Sequence, residues 1–407
     1  MTRMASITLL ALACLVLAPA SGPAQQPKTL TIGISISYSG KFAKEGEHGR
    51  QGYELFRELV NERGGIKIGN DRYLVEYKYY DDKSDQNTAT TLVEKLITED
   101  KVKYIFGPFS SDITFATSAI GEKYKVITMA ALANAERVYT RGFRYTFGAF
   151  PPASEGLSTI VQMASELTPK PQTVAIVYPD ALFPFFGAKG AKERAEKLGM
   201  KVVYYEKYPP TVKDLTPIMT QIKQLNPDIF LTSALLEDGI FVTKAYRELK
   251  INSRLMGFTT GPAVIDFLSA LGDTADYTVG YAWWSPTVKL KDDFFGTAQD
   301  YEARFEKRWK QPGNYISAAA SAAGLVLMRA MEKAGSIDVE KVRPVLAETD
   351  METFYNVIRY DKTGMNVGGF AVLLQAQKGK AVTVYPPKAA ETKVIYPMPT
   401  WEERAKR

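Results

Sequence analysis

What most constrains this chain is a repeated alternation of short β-branched runs with amphipathic helical segments. Thr29–Ser37 (TLTIGISIS) sets apolar residues at alternate positions, the period of a strand. Glu47–Asn61 follows with Tyr53, Phe56, Leu59 and Val60 at helical spacing and stops at Gly64-Gly65. Tyr73–Tyr80, Val102–Phe106 and Val126–Ala130 read as further strands, with Thr88–Thr98 and Asp112–Tyr124 as the helices among them. Strands that alternate with helices are joined by crossovers, which makes their sheet parallel and covers both its faces. A second series repeats the rhythm. Thr173–Tyr178, Lys201–Tyr208, Asp228–Thr232 and Arg254–Phe258 are its strands; Gly187–Leu198, Leu215–Leu225 and Gly239–Leu249 are its helices. The change-over falls within Phe147–Glu155. Two long helices, Asp293–Lys310 and Tyr315–Ala334, come next, then short strands at Phe354–Tyr360, Gly369–Gln375 and Val382–Tyr385. From Pro386 a proline-rich tail is expected to wrap the surface. The expected fold is therefore α/β, with two doubly wound parallel-sheet lobes and a cleft between them. In open sheets of this kind ligands bind beyond the carboxyl ends of the strands.

The N-terminus carries Arg3, an apolar run from Ile7 to Ala18, and then small residues and prolines, the pattern of a secretory signal. Cleavage is expected after Gly22-Pro23-Ala24, with Ala18-Pro19-Ala20 as the alternative, so residues 1–24 are set apart as a signal peptide. The expected product is a soluble, exported protein starting near Gln25. Cys14, the only cysteine, lies inside that run; apolar Leu15-Val16-Leu17 behind it disfavours a lipid-attachment site. Without disulfides, stability must come from a large core, which 407 residues allow. A net charge of +6, spread along the chain, is a solvated surface and not a nucleic-acid footprint.

Catalytic and cofactor motifs are sparse. His48 is the only histidine, so a Ser-His-Asp set would have to use it, and no Gly-x-Ser-x-Gly is present. The first strand runs into Ser39-Gly40-Lys41-Phe42, which is neither a Walker loop nor a dinucleotide fingerprint. Asp81–Asn87 (DDKSDQN) resembles a calcium loop but lacks the sixth-position glycine and the acidic twelfth. No cofactor and no metal is expected. An exported enzyme and a ligand-sensing module remain as readings of a different class.

One segment stands out. In Gly107–Thr117 (GPFSSDITFAT) a strand ends in two serines at a helix start, where one hydroxyl suffices for a cap. Ser39-Gly40-Lys41-Phe42-Ala43, Gly46, Gly52, Asn61 and Gly64-Gly65-Ile66 precede it. Asp81-Asp82, Ala89 and Leu96-Ile97 come next, then Ile105-Phe106-Gly107-Pro108, Leu255-Met256-Gly257 and Tyr360-Asp361-Lys362-Thr363-Gly364. In order and spacing these resemble the branched-chain amino-acid (leucine-binding-protein-like) family of periplasmic solute-binding proteins, across residues 28–386. The resemblance implies a Venus-flytrap fold whose lobes are joined by three crossovers. Lobe one would be 28–148 plus 282–354; lobe two would be 149–281 plus 355–407. It also implies a monomer that captures a small ligand in the cleft and delivers it to the permease subunits of an ABC transporter.

The resemblance places ligand contacts at Phe109, Ser110, Ser111, Ala130, Ala131, Leu132, Phe186, Leu235 and Thr259. Ser110 is expected to cap the helix and Ser111 to face the ligand carboxylate. Three positions depart from the family's amino-acid binders. Leu132 stands where a threonine or serine is usual, Thr259 where an acid pairs with the ammonium, and Leu235 where an aromatic hydroxyl is common. Burying an ammonium without a carboxylate is costly. The favoured ligand is therefore an apolar or aromatic monocarboxylate; a branched-chain or aromatic amino acid, or an amide, is the alternative, with Glu237 or Asp238 supplying the acid. Phe109, Phe147, Phe150, Tyr281, Trp283 and Trp284 fall at expected cleft or crossover positions, about half of them as core.

Overall fold

The computed structural model describes residues 26–406, so the signal-peptide reading and Cys14 lie outside the described residues. The chain opens with β1 (Lys28–Ile36), α1 (Ala43–Glu62), β2 (Ile66–Ile68), β3 (Asp71–Asp81), α2 (Gln86–Thr98), β4 (Tyr104–Phe106), α3 (Ser111–Tyr124), β5 (Ile127–Ala130) and β6 (Thr146–Gly148). These strands form a six-stranded sheet in the order β2-β3-β1-β4-β5-β6, parallel except at the β2–β3 edge. Ile32, Ile34 and Ile36 of β1 are buried, as expected of a central strand covered on both faces.

The second series comprises α4 (Ala153–Ser165), β7 (Thr173–Pro179), α5 (Leu182–Lys197), β8 (Lys201–Tyr208), α6 (Thr216–Leu225), β9 (Ile229–Thr232), α7 (Leu236–Glu248), β10 (Leu255–Phe258), α8 (Ile265–Leu271) and β11 (Val279–Ala282). The remaining elements are β12 (Lys291–Asp292), β13 (Gly296–Thr297), α9 (Ala298–Trp309), α10 (Tyr315–Ala334), α11 (Val339–Ala347), β14 (Asp350–Glu352), β15 (Val357–Arg359), β16 (Val372–Gln377), β17 (Lys380–Tyr385) and α12 (Trp401–Arg404). The second sheet has seven strands in the order β17-β16-β11-β10-β9-β7-β8, with β16 and β17 antiparallel at one edge.

After β11 the chain returns to the first lobe, where α10 lies along α1. A Cβ on Gly52 would stand 2.0 Å from the Ser317 carbonyl oxygen, so only glycine permits this approach. The Ser321 hydroxyl donates to the Gly52 carbonyl at 2.6 Å and seals the contact. The segments that pass between the lobes are tied to one another. Asn356 Nδ2 donates to the carbonyls of Trp283 (2.8 Å) and Phe370 (2.9 Å), and Asn366 Nδ2 to that of Ala149 (2.8 Å). The tail runs over the second lobe, with Trp401 Nε1 donating to the Ile251 carbonyl at 2.8 Å.

Several boundaries differ from the sequence expectation for local reasons. The helix expected from Asp293 begins at Ala298: the Asp292 carboxylate accepts from the N–H groups of Phe294 (2.9 Å) and Phe295 (2.6 Å), which folds 291–297 into the β12–β13 hairpin. Thr297 and Asp300 then form a capping box. The helix expected from Gly187 begins at Leu182, with Pro184 in its first turn, where a missing N–H costs nothing. The helix expected from Glu47 begins at Ala43. Both early starts shape the cleft.

Candidate functional site

Strand β4 carries the chain to Gly107-Pro108-Phe109-Ser110 at the cleft, and α3 begins at Ser111. Ser110 occupies the N-cap position, yet its side chain makes no capping bond and its hydroxyl is buried without a partner. Ser111 is the engaged hydroxyl: its Oγ accepts from the backbone N–H groups of Asn134 and Ala135, each at 3.1 Å. The expected roles are thus exchanged, because the loop after β5 folds back over α3 and takes the Ser111 oxygen. An unpaired buried hydroxyl costs about 1–3 kcal/mol, so Ser110 is the group that calls for a partner.

Ser110 faces a small inter-lobe cavity of about 20 Å³, room for one water molecule. The first lobe contributes Phe109, Ser110, Ser111, Leu132 and Asn134 to its wall, and α10 contributes Tyr315. Phe150, Tyr281 and Trp283 enter from the segments near the lobe connections, and Phe183 and Leu235 from the second lobe. No charged side chain lines it. Of the six aromatic candidates, Phe109, Phe150, Tyr281 and Trp283 line the cavity. Phe147 instead packs on Tyr360, and Trp284 on Tyr301, both in the core.

Four of the residues expected at the ligand lie outside this wall. Ala130 and Ala131 are buried at the end of β5. Phe186 packs with Leu182, Phe115 and Tyr139, and Phe183 takes the place expected of it. Starting α5 at Leu182 puts the segment in helical register and turns Phe183 to the cavity. Thr259 is fully used within its own lobe, its hydroxyl donating to the Ala234 carbonyl and accepting from the Ala234 N–H. Neither proposed substitute acid lines the cavity: Glu237 is exposed, and Asp238 pairs with Lys41 at 2.8 Å.

That ion pair belongs to a clasp across the cleft, built by Lys41 just before α1 and by the first turns of α1. Lys44 reaches Asp266 at 3.3 Å and His48 Nε2 reaches it at 2.7 Å; the His48 contact holds the Asp266 carboxyl below its ordinary range. Glu45 Oε1 accepts from the Leu236 N–H, at the start of α7, at 3.3 Å. A second clasp joins Asp112 Oδ1 to the Leu182 N–H at 3.0 Å, the acid being raised by burial. Every one of these contacts spans the two lobes, so the molecule is described in its closed form.

Sequence reading missed Phe183, Asn134 and Tyr315 of the wall, and Glu45 behind it. Glu45 is buried, its Oε2 has no partner, and desolvation pushes its carboxyl up to about 7. The signal was present: with α1 started at Ala43, Glu45 shares the buried face of Gly49, Gly52 and Phe56.

The acids of the Asp81–Asn87 loop serve the backbone. Asp81 accepts from the Tyr38 N–H at 2.9 Å, Asp82 from the Ser84 N–H at 2.9 Å, and Asp85 caps α2 through the Thr88 N–H at 2.8 Å. Among the described residues no group of three or more His, Cys, Asp or Glu could hold a metal ion, and no helix is long and apolar enough to cross a membrane.

The profile of the periplasmic binding protein family matches residues 29–380. The Leu/Ile/Val-binding protein homolog 7 of Brucella melitensis is 25% identical over 392 residues, covering 93% of this chain and 96% of that protein. The branched-chain amino-acid transporter substrate-binding protein LivJ of Streptococcus pneumoniae, solved with isoleucine, superposes with a TM-score of 0.76 at 20% identity, over 91% of this chain and all of that one. A solute-binding protein of an ABC transporter from R. palustris, solved with 4-hydroxybenzoate, gives 0.75 at 20% identity, over 92% and 99%. These likenesses in structure establish the type I periplasmic binding protein fold. With the family match spanning both lobes, the chain belongs to the periplasmic binding protein family.

Proposed function

We propose that this chain captures a small apolar or aromatic monocarboxylate between its lobes in the periplasm and presents it, as a monomer, to membrane permease subunits. The observation that carries the reading is the free Ser110 hydroxyl at the N-terminus of α3, in an uncharged cavity walled mostly by rings and leucines. The first-turn N–H groups of a helix have no intrahelical acceptor and favour an anion, and a hydroxyl adds one more donor. Phe109, Phe150, Phe183 and Trp283 provide faces for a planar body, with each ring pair adding about 0.5–1.5 kcal/mol beyond area burial. A cavity of 20 Å³ is far too small for such a ligand, so capture requires the clasps to open and close again around it. Ligand then stabilises the closed form by contacting both lobes at once.

Thermal shift with matched pairs tests this: phenylalanine against 3-phenylpropionate, and leucine against 4-methylvalerate, each pair differing by the ammonium. Binding at about a hundred times the dissociation constant adds about 2.7 kcal/mol of stability. The acids are expected to shift the melt and to be recovered unchanged; turnover would favour an enzyme. The second reading, an amino-acid ligand, is favoured by the relative named for Leu/Ile/Val and by the isoleucine-bound neighbour. A shift by the amino acids alone would establish it.

A further inference from the structure

Among the buried oxygens without a partner are Ser110 Oγ, at the N-cap of α3, and Glu45 Oε2 on α1. Only the first is absorbed by the carboxylate reading. Glu45 stands behind the cavity wall, and its surroundings fix its place. On its own helix, Phe42 packs edge-on against Phe109 at 5.6 Å between ring centroids, and Gly49 abuts Leu132, whose Cδ1 would stand 2.5 Å from an added Cβ. Across the cleft, Glu45 Oε1 holds the N–H of Leu236, next to Leu235. Its charge is also felt by the Tyr315 phenol. Phe109, Leu132, Leu235 and Tyr315 are four residues of one cavity wall, and Glu45 bonds directly to Leu236 beside one of them. A ligand that enlarges the cavity pushes on this wall.

We propose that Glu45 is the specificity-determining residue of the cleft and accepts a hydrogen bond from a hydroxyl on the ligand, remote from the ligand's carboxylate. The inference rests on the carboxylate reading and narrows it to hydroxylated, preferably aromatic, monocarboxylates. Stoichiometry favours a hydroxyl over an ammonium. Oε1 is occupied by Leu236, so one carboxylate oxygen is free, and no carboxylate lines the cavity itself. An ammonium brings three donors and a hydroxyl brings one. A hydroxyl also satisfies the carboxyl in either protonation state, accepting from it or donating to it. A site that holds a buried polar group for a ligand hydroxyl discriminates strongly against the analogue lacking it, because the group is otherwise left unpaired.

The test is calorimetric titration of the full mature chain with benzoate, its three hydroxy isomers, 3-phenylpropionate, 3-(4-hydroxyphenyl)propionate and 4-(aminomethyl)benzoate. Wild type is expected to bind at least one hydroxylated acid tenfold or more tighter than its parent. Glu45→Leu should bring the pair within about twofold while still binding the parent acid. Glu45→Gln, which keeps the shape and an acceptor for Leu236, guards against misfolding and should retain part of the preference. Equal binding of parent and hydroxylated acids by wild type overturns the Glu45 role and leaves the carboxylate reading standing. So does a preference that survives in Glu45→Leu. Tightest binding of the aminomethyl acid overturns the hydroxyl assignment in favour of a cation. Binding of none of these acids brings down both readings.

Discussion

The Ser111 oxygen accepts two backbone N–H groups from a loop more than twenty residues downstream, whereas the Ser110 oxygen accepts none. Removing each hydroxyl should therefore have opposite signatures. Ser111→Ala leaves two buried donors unpaired and is expected to lower stability by about 1–3 kcal/mol, seen as a lower denaturation midpoint. Ser110→Ala removes an unpaired buried oxygen and should leave stability unchanged or slightly raised. Its effect should fall on affinity, a loss of roughly tenfold for the bound carboxylate, within the range for a charge-assisted bond. An unchanged affinity in Ser110→Ala would remove that serine from the anion site. The pair was legible in the sequence as one hydroxyl too many for a cap. Which serine was spare was not legible, because that depends on where the loop at Asn134 and Ala135 lands. The same limit hid Phe183: the resemblance placed the ring three residues later, at Phe186, and which ring turns inward depends on where α5 begins.

At the scale of elements, Lys41 and the first turns of α1 do most of the reaching across the cleft. Lys41, Lys44, Glu45 and His48 meet Asp238, Asp266 and the N-terminus of α7. The elements themselves were readable from periodicity; that α10 lies against α1 was not. Their clasp was not, since partners such as His48 and Asp266 are 218 residues apart and meet only when two independently folded lobes close. Asp266→Asn is expected to weaken ligand affinity several-fold with little change in the association of either lobe's own elements. The contacts are partly exposed, so each contributes about 1 kcal/mol or less. Scattering should report a larger ligand-free radius of gyration for this variant; identical scattering and affinity would mean that the clasp does not bias closure.

For the whole molecule, the sign of the pH dependence follows from acids that burial makes weaker. Glu45 and Glu302 are both pushed up to about 7 by desolvation, from an ordinary value of 4.5. A raised acid leaves the buried form at full stability below its ordinary value. That stability then drains as pH rises towards 7 and levels off above it. Asp266 is shifted the other way, and its contribution is lost only as pH falls below the ordinary range of an aspartate, outside this window. The two glutamates differ in what must open to relieve them. Glu302 sits on α9 and accepts from the Gly313 N–H within the first lobe, so relief requires local unfolding. Glu45 bridges the lobes, so opening the cleft is enough. Its rise from 4.5 to about 7 on burial makes closure progressively less favourable as pH climbs from 4 to 8. The ligand-free protein is therefore expected to be more open at pH 8 than at pH 5, measured by scattering. Glu45→Gln should remove most of that difference, while the Glu302 share of the melting-temperature decline persists. A ligand hydroxyl on Oε2 would lessen the dependence, because the closed carboxylate would then be paired. An opening that is identical in wild type and Glu45→Gln would place the pH-sensitive group elsewhere in the cleft.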